Sequence, residues 1–149
     1  MIRMALLLAM AFAGPAFYGD DAGRTKLAGK WLVDDANASS NRTTWSLEEK
    51  GDAIHIAYSQ GDRKVEEFEC NTVGQECTIK DSGRPAKISM WYNGPKLVEM
   101  ETRGSDVVKR QFSTAENGDV LEIQVVPIAP AGKTETIRLK RVETAPTHQ

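Results

Sequence analysis

The chain has 149 residues, 27% of them charged, with both signs interspersed and a formal net charge of −2, so it is sized for one domain and carries no acidic block of the kind that marks a solvating tail. No basic stripe argues for a nucleic-acid partner, and two histidines with two cysteines offer no spacing that reads as a metal site.

The N-terminus opens with Arg3 and a short apolar run, Met4 to Ala13, followed by small residues at Ala11-Phe12-Ala13 and Gly14-Pro15-Ala16. This is the layout of a signal peptide over residues 1–16, and the run is too short to span a bilayer. Its removal would take Arg3 and leave a net charge of −3. No cysteine follows that would take a lipid anchor, and no later stretch is long and apolar enough to cross a membrane, so a secreted or periplasmic, soluble chain is expected. Residues 17–26 then read as a flexible mature N-terminus, 27–142 as one β domain, and 143–149 as a disordered tail.

Leu27 to Val33 is the first strand, and a polar connection from Asp34 to Arg42 follows it. That connection holds two sequons, Asn37-Ala38-Ser39 and Asn41-Arg42-Thr43, which are coincidental if the source is bacterial. From there turn chemistry recurs every eight to twelve residues: Gly51-Asp52, Gly61-Asp62-Arg63, Val73-Gly74, Ser82-Gly83, Asn93-Gly94-Pro95, Gly104-Ser105-Asp106, Asn117-Gly118 and Pro130-Ala131-Gly132. The runs between are rich in β-branched and aromatic residues, the pattern of consecutive antiparallel strands.

Register follows from keeping apolar side chains on one face, because a one-residue slip sends all of them to the other. Gly51-Asp52 sets Leu47 against Ile56 and Trp45 against Tyr58 inside. Val73-Gly74 sets Cys70 directly opposite Cys77 and Phe68 opposite Ile79, which predicts a disulfide stapling that hairpin; Ser82-Gly83 pairs Ile79 with Ala86. Three-residue loops at Asn93-Gly94-Pro95 and Gly104-Ser105-Asp106 pair Met90 with Val98, Ile88 with Met100 and Val98 with Phe112, leaving Glu99 and Glu101 outside. Asn117-Gly118 pairs Phe112 with Ile123 and Arg110 with Val125, and the last hairpin pairs Val125 with Ile137 and Ile123 with Leu139.

The fold class expected is therefore all-β, an up-and-down antiparallel meander of about ten strands. Its apolar face must be buried by closure, most simply as a barrel with the first strand against the last; a two-layer sandwich is the alternative.

Gly29-Lys30-Trp31 on the first strand and Arg138, Lys140 and Arg141 on the last carry a resemblance to the lipocalin-like (calycin) barrels, and in particular to the small secreted bacterial ones, many of whose members have no assigned activity. In that family a Gly-x-Trp sits at the closed end with a basic residue of the last strand across the Trp. The resemblance thus implies a structural trio of Gly29, Trp31 and Arg141, with the connection after the first strand overhanging the mouth.

Chemistry is sparse. His148 lies in the tail, His55 faces outward among glutamates, and no nucleophile and base come together, so a catalytic role is not expected and no cofactor is implied. The inward side chains are the candidate site: Trp45, Tyr58, Met90, Tyr92, Met100, Arg110 and Phe112. An inward guanidinium needs a carboxylate, water or ligand anion, and an apolar cavity with one cation suits a small hydrophobic molecule, an acid among the options. The alternatives are that Arg110 pairs internally with Glu66, itself turned inward near Tyr58, that it sits at a wet rim, or that a bulge turns it out. The other reading is a packed barrel acting through its surface, with Trp91 and Leu97 exposed at a hairpin tip as a partner site.

Overall fold

The computed structural model describes residues 26–34, 42–80 and 83–142. The expected signal peptide, all but the last residue of the expected N-terminal stretch, the first sequon with Asn41 of the second, and the expected tail lie outside the described residues. Ten antiparallel strands follow in chain order: β1 (Gly29–Val33), β2 (Thr43–Lys50), β3 (Ala53–Gln60), β4 (Arg63–Asn71), β5 (Cys77–Ile79), β6 (Ala86–Asn93), β7 (Lys96–Arg103), β8 (Asp106–Ala115), β9 (Val120–Ala129) and β10 (Glu135–Arg141). They form one sheet in the order β4-β3-β2-β1-β10-β9-β8-β7-β6-β5. The first strand pairs with the last, Trp31 opposite Arg141, as the expected closure requires.

The sheet's two edges, β4 and β5, then lie beside one another and the barrel is nearly closed. No ladder joins them, so the expected hairpin pairing of Phe68 with Ile79 does not form. The chain after β4 docks on β6 instead, with Gly74 N donating to Met90 O at 2.8 Å and Val73 bridging Trp91. The disulfide between Cys70 and Cys77 is present, with Cα atoms 5.8 Å apart. It therefore staples the two edges of the sheet rather than the rungs of a hairpin.

Most hairpins hold the expected register: Trp45 faces Tyr58, Ile79 faces Ala86, Phe112 faces Ile123 and Arg110 faces Val125. The last hairpin is slipped by two residues, Ile123 against Ile137 and Leu121 against Leu139, which keeps each side chain on its face. β7 is the correction. The loops before and after it are two residues each, so Asn93 pairs with Lys96 and Arg103 with Asp106. Each is one residue shorter than the three-residue loop expected, a difference that turns β7 over while leaving β6 and β8 unmoved. Leu97 accordingly faces Phe112 in the interior and is fully buried, whereas Met100 faces outward opposite Ser89 and Lys109.

The interior is packed tightest at the end where β1 begins. Leu27, Trp31, Leu47, Ile54, Leu121 and Leu139 are all buried there. Trp31 Nε1 donates to Leu27 O at 3.0 Å, and the Arg141 guanidinium carbon lies 4.1 Å from the Trp31 ring centroid. The same guanidinium donates to the carbonyls of Gly118, Ala28 and Lys26 at 3.1, 2.8 and 2.6 Å, tying the entering chain across the base of the barrel. Gly29, at φ 141°, is required by this approach, since a Cβ there would lie 2.5 Å from Arg141 Nη1.

Candidate functional site

At the opposite end the inward side chains are only partly buried: Trp45 from β2, Tyr58 from β3, Glu66 and Phe68 from β4, Val108 and Arg110 from β8, Val125 from β9 and Ile137 from β10. Alternation along each strand aims them inward, and the meander brings six strands' contributions to one end. Trp45 is the hub of the aromatic part, its ring centroid 5.0 Å from Tyr58 and 5.9 Å from Phe112 across the barrel. Tilted and edge-on pairs of this kind suit the ring quadrupoles.

A ladder of alternating charges runs beside these rings. Arg110 Nη1 donates to Glu99 Oε1 at 2.7 Å and to Glu101 Oε2 at 3.4 Å. Arg103 Nε donates to Glu101 Oε1 at 3.1 Å, its Nη1 to Arg84 O at 3.0 Å, and its Nη2 to Glu66 Oε1 at 2.5 Å. The inverted β7 makes this possible, since Glu99, Glu101 and Arg103 are alternate residues of its inner face and Glu99 sits directly opposite Arg110. Glu66 is on β4, so the Arg103 pair also reaches across the gap between the sheet's edges.

The Glu99 side chain is 2% exposed and Arg110 22%. Burial pushes the Glu99 carboxyl up to about 7; the adjacent Arg110 charge opposes the rise and is outweighed. Arg110 is pulled down by desolvation but held above its ordinary value by Glu99 and Glu101. The cluster thus has its own polar partners, and the expected internal pairing of Arg110 exists, with Glu99 and Glu101 in the place expected of Glu66.

Of the sequence candidates, the structure brings Trp45, Tyr58, Arg110 and Phe112 together, with Met90 fully buried in the same interior. Tyr92 lies at the other end, its hydroxyl donating to Glu49 Oε1 at 3.2 Å, and Met100 is outside. The surface pair is split: Trp91 is on the outer face against Val73, while Leu97 is interior. Glu99, Glu101 and Arg103 were missed. The signal that could have found them was Arg110 itself, an inward cation with no partner until the facing strand is turned over.

His55, outside on β3, pairs with Glu67 at 2.8 Å, and Lys64 also reaches Glu67. Lys64, ahead of His55, holds the Glu67 carboxyl below its usual range. Among the described residues, no group of three His, Cys, Asp or Glu side chains is placed to hold a metal ion, and no helix is long and apolar enough to cross a membrane.

No protein-family model matches the sequence, and no curated protein is significantly similar to it. Solved structures do match in shape. A structure titled "REP1-NXSQ fatty acid transporter" superposes with a TM-score of 0.66 at 18% identity, over 81% of this chain and 99% of the other. A Schistosoma mansoni fatty acid binding protein in complex with arachidonic acid gives 0.66 at 16%, with the same coverage of 81% and 99%. Secretory abundant heat soluble protein 4 from Ramazzottius varieornatus gives 0.64 at 19%, over 79% and 96%. At these identities the likeness is one of fold, a nearly closed ten-strand antiparallel barrel.

Proposed function

We propose that this protein is a carrier or scavenger of a small hydrophobic molecule, held in the barrel interior against Trp45, Tyr58, Phe68, Val108, Val125 and Ile137. The observation that carries the reading is the asymmetry of the interior: one end is packed to full burial, while the other presents inward aromatic and aliphatic side chains that the protein itself leaves partly uncovered. Apolar surface of this kind, concave and rimmed by a few fixed polar groups, is what small-molecule sites are made of. Two fold neighbours, a fatty acid transporter and a fatty acid binding protein in complex with arachidonic acid, support a hydrophobic ligand in general.

We also propose that the chain is exported and works outside the reducing cytosol. The short apolar run before Ala16 and the Cys70–Cys77 disulfide both support this, since such bonds persist in oxidising compartments. Native mass spectrometry of protein purified gently from an exported fraction tests both proposals. The expected result is a chain lacking its first 16 or so residues and carrying a discrete excess mass that is lost on denaturation. An unprocessed chain would contradict export. A bare chain mass that also takes up no uncharged apolar fluorophore would contradict ligand carriage and move the function to the barrel's surface.

A further inference from the structure

We infer that the ligand's polar end is an uncharged or cationic hydrogen-bond donor, such as an alcohol or an amine, rather than a carboxylate. This rests on the reading of the barrel interior as the binding site and specifies what that site accepts.

Among the described residues, five charged side chains face the interior at the partly buried end: Glu66 on β4, Glu99, Glu101 and Arg103 on β7, and Arg110 on β8. Three are carboxylates and two are guanidiniums, so with every group ionised one negative charge is in excess. The other described groups paired near this end lie on the outer face or at a turn. Lys64 and His55 are engaged with Glu67 on the outer face, and Arg84 pairs with Asp106 at the exposed turn.

Both guanidiniums are already committed to carboxylates. An incoming acid seeking Arg110 would have to compete with Glu99 at 2.7 Å, and success would strand a carboxylate that is 2% exposed. Leaving a buried charge unpaired costs more than the new pair returns. A hydroxyl or ammonium group instead brings protons to a site rich in acceptor oxygens, and displaces nothing. Burial is the main cause of the raised Glu99 carboxyl, and repulsion from Glu101 and Glu66 adds to it. Discrimination then comes from repulsion as much as from attraction, because the same apolar tail pays a penalty with the wrong head group.

The test is displacement of N-phenyl-1-naphthylamine, an uncharged apolar fluorophore, from the disulfide-bonded protein. The competitors are a primary alcohol, a primary amine and a fatty acid of one chain length, each below its aggregation threshold and at a pH above the Glu99 value of about 7, where the amine is protonated and both the acid and Glu99 are ionised. The alcohol and the amine are expected to displace the fluorophore at concentrations about tenfold or more below the acid. In a Glu99→Gln/Glu101→Gln variant, verified as folded by its circular dichroism and thermal melt, the acid's handicap should shrink to about threefold or less.

An acid that competes as well as the alcohol in the natural protein would overturn the head-group assignment while leaving interior binding intact. So would a folded double variant that keeps the original ranking. If the double variant does not fold, the ranking in the natural protein decides alone. Failure of the fluorophore and of all three competitors to bind would instead overturn the interior-site reading itself.

Discussion

Glu99 is held between opposing demands. Burial disfavours its charge and the Arg110 guanidinium favours it, and burial prevails, raising the carboxyl from 4.5 to about 7. Between those two values the folded protein keeps a proton that the unfolded chain has released. The native state therefore binds more protons across that window, and stability falls as pH rises through it, by up to about 3 kcal/mol, then levels off above the folded value. Glu99→Gln removes this contribution. Urea unfolding at pH 5 and pH 8 should show the natural protein losing stability relative to the variant as pH rises; parallel behaviour would mean that Glu99 titrates normally.

Some residues were legible in the sequence because their partners are fixed by a motif. Gly29, Trp31 and Arg141 are such a set, and the structure stacks Arg141 on Trp31 with Gly29 leaving room. Glu99 was not legible, because nothing local distinguishes a glutamate on an outer face from one that answers an arginine on the next strand.

Among the elements, β7 is the instructive one. Its two faces read Leu97, Glu99, Glu101, Arg103 and Val98, Met100, Thr102, and counting apolar residues assigns the second face to the core. Charge pairing assigns the first, since only then does Glu99 meet Arg110. The apolar count loses because Leu97 supplies the core contact with Phe112 while Val98 is covered outside, 3% exposed on a face where Trp91 lies opposite it. Hairpins with unambiguous turns, such as those at Gly51-Asp52 and Asn117-Gly118, gave no such conflict and their registers were readable from the sequence. Two substitutions separate the two orientations. Leu97→Ala should cost about 2 to 5 kcal/mol as a core truncation, and Met100→Gln should stay within about 0.5 kcal/mol as a surface change. Chemical denaturation of both variants measures this, and the reverse ranking would restore the rejected orientation.

At the scale of the whole molecule, closure is achieved by three different devices. A continuous ladder joins β1 to β10, Cys70 and Cys77 link the edge strands covalently, and the Glu66–Arg103 pair bridges the same gap nearer the partly buried end. The meander and its closure were readable because each strand pairs with its neighbour in sequence, and only the first and last had to find one another. How completely the interior is filled was not readable, because that depends on side chains from many strands meeting in space.

In the proposed arrangement this partly covered end holds an apolar ligand while the Trp31 end is solid. Methyl-resolved NMR during titration with a long-chain primary alcohol tests it most directly. Saturable shifts confined to Val108, Val125 and Ile137, with Ile54, Leu121 and Leu139 unmoved, are the result expected. Shifts gathered instead around Val73 and Val98 on the outer face would contradict it.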